Sequence, residues 1–265
     1  TMVYGIAKML NFAHGDVIMV GGYISLLAMS SLGLPWWVGV LLAMVVCTVL
    51  GVIIEGLAYK PLRAAPSLAV LITAIGVSYF LQNAAQLIWG ASPMSYTPIV
   101  SGSLQLFGEQ LSISYVSLLT IVVCAVIMVG LTLFTSKSKM GKAMRATAQN
   151  RKMALLLGIN ADRIISLTFI VGSALAALGG VLIASHMGQV NFGIGFLAGL
   201  KAFTAAVLGG IGSIPGAVIG AFIIGIFESL IKGLDIILTT FHIIQSPLEL
   251  STFSDAFTFA LLIVI

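Results

Sequence analysis

Long apolar runs alternate with short polar breaks along this chain, and the spacing of the breaks predicts its elements. Apolar residues fill 17–33, 36–58, 67–90, about 113–135 and about 164–186. Each run is close to the ~20 residues an α-helix needs to cross the hydrocarbon core of a bilayer. The breaks are Gly33-Leu34-Pro35, then Tyr59-Lys60-Pro61-Leu62-Arg63-Ala64-Ala65-Pro66, then a loop over 91–112 with Pro93, Pro98, Gly102 and one charge, Glu109. A basic segment over 137–163 follows. The pattern predicts an all-α, polytopic integral membrane protein with about 6–8 transmembrane helices, broken or re-entrant segments among them, in a single domain over 1–265.

Beyond 187 the pattern changes. Gly188, Gly193, Gly195 and Gly199 crowd a short connection, and 200–208 is helix-like but too short to span. Gly209-Gly210-Ile211-Gly212-Ser213-Ile214-Pro215-Gly216 cannot continue a helix, and 217–231 reads as helical again. Two half-length helices around such a break read as a re-entrant hairpin; a plain turn between two short spans is the alternative. Irregular backbone at membrane depth survives only inside protein or beside a water-filled cavity, and broken helices of this kind line transport pathways. Lys201, Gly209, Gly210, Gly212 and Pro215 are therefore pathway candidates. A mixed polar loop is expected over 232–254 and the start of a final span over 255–265. The chain opens at Thr1 and stops inside an apolar run at Ile265, so both ends read as truncated.

Charge orients these elements. Only 8% of residues are charged, against about 25% in a soluble domain. Seven of the 12 Lys and Arg residues, Lys137, Lys139, Lys142, Arg145, Arg151, Lys152 and Arg163, lie in the basic segment, opposed there only by Asp162. Cytoplasmic loops carry such an excess. Lys60 and Arg63 mark a second cytoplasmic loop two spans earlier, and two spans return the chain to the same side. The 33–35 turn and the 91–112 loop then lie outside, with Trp36, Trp37 and Trp89 at the outer interface. No basic stripe interleaves with aromatics, so nucleic acid is not an expected partner.

The basic segment has internal order. Lys142, Arg145, Gln149 and Lys152 fall on one face of a helix, with Ala143, Ala146, Met153, Ala154 and Leu157 toward the other. Gly158 suits the residue that ends a helix, and Asn160 suits the cap of the next. The segment reads as helix, tight turn, helix: a rigid elbow, rather than a solvated loop held to anionic lipid.

Asn11-Phe12-Ala13-His14-Gly15-Asp16 is a polar island. It is read as a helix break, with Gly15 interrupting and Asp16 capping the helix that follows; a proton relay through His14 and Asp16 is the alternative. Asn11 and His14 are further pathway candidates. Asn191-Phe192-Gly193-Ile194-Gly195 echoes the island. Gly172, Ala176, Gly180 and Ala184, and later Gly212, Gly216 and Gly220, form small-residue stripes for close helix packing, inside the chain or between subunits. Glu55 is expected to pair with Lys60 or Arg63, Glu228 with Lys232, and Lys201 with Glu228 across the hairpin. Cys47 and Cys124 read as buried small residues. There is no phosphate-binding loop, since Gly141-Lys142 is followed by Ala143, and His14, His186 and His242 are isolated, without a nucleophile or metal-ligand spacing. The chain reads as no enzyme, with no metal and no cofactor of its own.

Several blocks, in order, resemble a known family. They are Asn11 to Asp16, Ala58-Tyr59-Lys60-Pro61-Leu62-Arg63, Gly141-Lys142-Ala143-Met144-Arg145-Ala146, Leu156 to Arg163, and Lys201 through Ala217. The chain resembles the LivH-type permease subunits of bacterial branched-chain amino-acid ABC importers over nearly its whole length. The resemblance implies a subunit of the inner membrane that works with a second, LivM-type permease, two ABC ATPase subunits that hold ATP and Mg, and a periplasmic binding protein that captures leucine, isoleucine or valine. It implies that the elbow docks in a groove of the ATPase, through Met153, Ala154, Leu157, Gly158 and Ile159 within Arg151 to Arg163. It also implies that a first span and the end of the last are missing. A sister branch carries urea or short amides. A stand-alone secondary carrier and a passive channel are the rival classes; neither needs a structured dock, so the elbow favours the importer.

Overall fold

The computed structural model of the chain describes residues 2–7, 9, 11–63, 65–106, 111–240, 255–256 and 260. Glu109, His242, the loop over 241–254 and most of the expected final span lie outside the described residues. The chain divides into two compact units, 2–199 and 200–265. Six described helices are long and apolar enough to cross a membrane. With little strand, the protein is an all-α, multi-pass membrane protein.

The first unit opens with α1 (Met2–Ala7) and α2 (Ala13–Ser30). Next come α3 (Trp36–Ile54), continued by a π-helical turn over Glu55–Tyr59, and α4 (Ser67–Trp89). Helices α5 (Tyr115–Lys137), α6 (Lys139–Gln149), α7 (Arg151–Leu156) and α8 (Ala161–Met187) follow, and α9 (Ile194–Leu208) runs across the boundary between the units. Helices α2, α3 and α8 pack on one another, with α4 against α2. Small residues make the packing close. A Cβ on Gly21 would lie 2.6 Å from Ala177 Cα, one on Gly180 would strike the Ile18 carbonyl, and one on Gly51 would strike the Ser173 side chain. The Gly172–Ala184 stripe is therefore an internal contact: Gly180 lies on α2, and Ala176 and Ala184 are buried. Helix α5 fully buries only Val116, so much of its apolar surface is left for lipid or partners.

Both basic loops lie on one face of the unit, because Arg63 of the first ion-pairs with Asp162 of the second at 2.5 Å. At the opposite face Tyr96 and Ser25 share a hydrogen bond of 3.1 Å, and Trp89 stacks on Tyr23 with ring centroids 4.5 Å apart. This agrees with the topology read from the charges.

Four sequence expectations in this unit are corrected. Cys124, expected to be buried like Cys47, is exposed on α5. The island at Asn11–Asp16 does not break the chain at Gly15: α2 begins at Ala13 and runs through Gly15, and Asp16 is buried rather than capping. Gly15 is there for space, since a Cβ would strike the Gly195 carbonyl and crowd Gly199 Cα at 3.1 Å. Asp16 accepts from Gln82 Nε2 at 3.0 Å, so a tertiary partner replaces the capping role. The 91–112 loop contains strands: β1 (Met94–Ser95) pairs antiparallel with β4 (Gln189–Val190), and β2 (Ser103–Leu106) with β3 (Leu111–Ser114). The alternation Ser-Leu-Gln-Leu against Leu-Ser-Ile-Ser carries the period of two that such a hairpin requires. Finally, the helix expected across the basic segment is broken. Asn150 leaves the helical conformation and accepts from the Lys152 and Met153 amides, so Lys152 does not continue the face of Lys142 and Arg145.

In the second unit, 200–208 closes α9 and α10 (Ile214–Thr240) follows a tight turn. Gly210 and Gly212 hold φ of 88° and 97°, a region that side-chain-bearing residues resist. The Ser213 side chain accepts from the Gly216 amide at 3.1 Å, starting α10. Gly209 meets the Gly216 backbone and Gly220 meets the Ala205 carbonyl, so the arms touch backbone to backbone. The arms are unequal. At 15 residues, α9 is about 22 Å long and short of a span, whereas Ile214–Leu234 alone is long enough to cross. The second arm is thus a full helix, and 232–240, expected as loop, is helical.

Candidate functional site

Two short helices and three capping side chains make the elbow. Ser138 caps α6, accepting from the Gly141 amide at 2.8 Å, and a Cβ on Gly141 would strike the end of α5, so α6 folds tightly back. Met144 and Thr147 are buried beneath it. Helix α7 ends in a Schellman turn: the Gly158 amide reaches the Leu155 carbonyl and the Ile159 amide the Ala154 carbonyl, each at 3.0 Å. Gly158 supplies the required φ of 80°. The Asn160 side chain then accepts from the Arg163 amide at 3.1 Å and starts α8. The turn and cap read from Gly158 and Asn160 are present as expected.

The tip of this elbow is apolar and uncovered. Leu156 is 80% exposed and Leu157 74%, with Met153 and Leu155 at 54% each. Ala154 is 1% exposed, so it faces inward and is withdrawn from the contact surface that the sequence suggested. Leu155 and Leu156 are the exposed side chains beside it. The Ala154-Leu155-Leu156-Leu157 run was the signal for them, but assigning its faces requires knowing that the helix restarts at Asn150. Burying a leucine side chain is worth about 1.5–3 kcal/mol, so covering this tip would be strongly favourable. Arg163 is exposed, and Arg151 is half-buried in an ion pair with Asp162 at 2.7 Å.

Behind the tip lies a polar network that sequence reasoning found only in part. Arg63 bridges two carboxylates, donating to Glu55 through Nη2 and to Asp162 through Nη1. The Arg63 and Glu55 side chains are 7% and 4% exposed. Ser166 Oγ donates to the other Glu55 oxygen at 3.0 Å. The Glu55–Arg63 pair was expected from nearness in sequence; the reach of Arg63 to Asp162 was not. Beside the network opens a cavity of about 530 Å³, bordered by Lys60, Met140, Arg163 and Leu167.

The other candidates fall into two groups. Asn11 accepts from the Tyr59 hydroxyl at 2.8 Å, and His14 lies against Gly172, whose Cβ would come within 3.4 Å of its ring. Both stand where α2 begins. Lys201, Gly209, Gly210, Gly212 and Pro215 belong to the second unit. There Lys201 Nζ pairs with Glu228 at 3.0 Å, as expected, and also with Asp255 at 2.7 Å. Pro215 sits in the first turn of α10, where a missing amide costs nothing.

A family model described as "Branched-chain amino acid transport system / permease component" matches residues 1–265. A Pseudomonas aeruginosa protein, the high-affinity branched-chain amino acid transport system permease protein BraD, is 48% identical over 241 residues, covering 86% of this chain and 78% of its own. The corresponding Escherichia coli K12 protein, LivH, is 43% identical over 277 residues, covering 100% of this chain and 85% of its own. More distantly, the E. coli xylose transport system permease protein XylH is 27% identical over 122 residues, 44% of this chain and 31% of its own. No solved structure matches the chain.

Proposed function

Because the chain belongs to the family of permease components of branched-chain amino-acid transport systems, we propose that it is the membrane-spanning subunit of an ATP-driven importer for leucine, isoleucine or valine. The observation that carries this reading is the elbow: an apolar tip at Leu155, Leu156 and Leu157, held by a Schellman turn on an ion-paired base. A solvated topogenic loop has no need of ordered caps or uncovered leucines. The elbow face is cytoplasmic in this reading, and an ABC ATPase covers the tip. Two ATPase subunits bind and hydrolyse ATP with Mg, a LivM-type permease completes the pathway, and a periplasmic binding protein delivers the amino acid across the inner membrane. This chain supplies no catalytic group.

Asn11 and His14 at the start of α2, and Lys201 with the Gly209–Gly216 turn, are the groups proposed to border the pathway. The relatives' names support branched-chain amino acids over urea or short amides.

Co-purification of the full-length protein with candidate ATPase subunits tests the reading, comparing wild type with Leu156→Arg and Gly158→Arg. Capture by the wild type, lost in both variants while each still inserts, is the expected result. Equal behaviour of all three would reduce the elbow to a topogenic loop. Uptake driven by a pH gradient in vesicles holding this chain alone would replace the importer with a secondary carrier.

A further inference from the structure

The contacts behind the elbow form a continuous path to the start of α2. The elbow contributes Arg151, which pairs at 2.7 Å with Asp162 in the first turn of α8. Asp162 also accepts from Arg63 at 2.5 Å, and the same guanidinium donates to Glu55. Glu55 opens the π-helical turn that ends at Tyr59, and these two are the buried members of that turn. The turn is closed by the Lys60 amide on the Glu55 carbonyl at 2.7 Å, so the carboxylate and the phenol sit on one backbone unit. Tyr59 then donates to Asn11 at 2.8 Å, two residues ahead of α2, while its ring packs on Phe169 of α8 with centroids 5.4 Å apart.

The chemistry of Arg63 suits a joint. A guanidinium is always charged and presents donors in a rigid fork, so it can hold two carboxylates at a fixed separation, which a lysine cannot. One carboxylate is buried at the end of a span, and the other is exposed in the first turn of α8, where it also holds Arg151 of the elbow. A π turn is also a wide, easily rearranged piece of helix, common at functional positions. The elbow also packs on α5 and α8. Charge ties it to the spans as well.

Resting on the importer reading, we propose that Arg63 is the positioning residue that couples the elbow to the pathway, passing elbow movement through Glu55 and the Glu55–Tyr59 turn to Asn11 at the head of α2. Arg63 and Tyr59 touch no substrate. They act through Asp162 at one end and Asn11 at the other.

The test uses the complete importer in proteoliposomes, with ATP hydrolysed and amino acid taken up measured on the same sample. The wild type must first show binding-protein-dependent, ATP-driven uptake; if it does not, the importer reading itself fails. Tyr59→Phe removes only the hydroxyl, and Asp162→Asn only the charge shared by Arg63 and Arg151. Each should raise the ATP hydrolysed per molecule taken up by roughly threefold or more, with assembly intact, and the double variant should be no worse than the more severe single one. Arg63→Lys should resemble Asp162→Asn, since lysine loses the bridge. Unchanged stoichiometry in assembled Tyr59→Phe and Asp162→Asn complexes would overturn the proposal, as would two effects that simply multiply. If Arg63→Lys fails to assemble, those two variants and their double decide between the outcomes.

Discussion

The crossing of α2 with α8 and the elbow at α6–α7 are opposite solutions to one problem, where to put surface. At the crossing the side chains have been reduced until backbones touch: Gly21 lies on Ala177, Gly180 on the Ile18 carbonyl. At the tip of the elbow the side chains are large and largely uncovered, with Leu156 and Leu157 mostly exposed. Lipid gives no hydrophobic drive for helices to associate, so contacts within a membrane depend on close approach and dispersion. In water the same leucines would be driven together. Small residues therefore mark contacts already made inside this chain, and the large exposed ones on the basic face are where the proposed function puts a partner.

Substitutions can break that contrast, and the largest effect is expected at the crossing. Gly180→Val should destabilise the protein by more than about 3 kcal/mol, because the obstacle is backbone and cannot rotate away. Loss of monodisperse protein in size-exclusion profiles would register it, and a normal profile would refute the packing account. Next comes the buried pair: Glu55→Ala leaves the Arg63 guanidinium buried with only its elbow partner and should cost about 3 kcal/mol, read as a fall in the thermal midpoint in detergent. Gly158→Ala should cost about 1 kcal/mol, the penalty for a side chain at φ of 80°, with the same assay showing a smaller fall. Leu156→Arg should change stability by under about 0.5 kcal/mol while abolishing ATPase capture, so a shift in its midpoint would mean the leucine packs inside the chain. At the small end, Gly130→Ala in α5 meets nothing within 4 Å and should stabilise the helix by about 0.5–1 kcal/mol.

What could be read from the sequence was local or one-dimensional. Runs of apolar residues place the spans because length alone decides whether a helix can cross. Gly158 and Asn160 were legible because a turn and a cap depend on the backbone preferences of single residues. Lys201 with Glu228 was legible because a hairpin fixes which residues stand opposite. The failures needed partners. Gly15 looks like a breaker until Gly195 is seen against it, and Asp16 looks like a cap until Gln82 reaches it. Arg63 and Asp162 stand 99 positions apart, and nothing in the intervening residues announces their contact. Helix α10 was cut short because the polar residues from Lys232 onward resemble a loop, whereas the helix runs on to Thr240.

Gly15 and Gly195 carry a genetic consequence. Each has its Cβ position blocked by the carbonyl of the other. A clash between two side chains can be relieved by a second mutation that trims the opposing one. Here the opposing residue is already glycine and has nothing left to trim. A selection for revertants of Gly15→Ala should therefore return the original codon or changes that shift whole helices, and none at position 195.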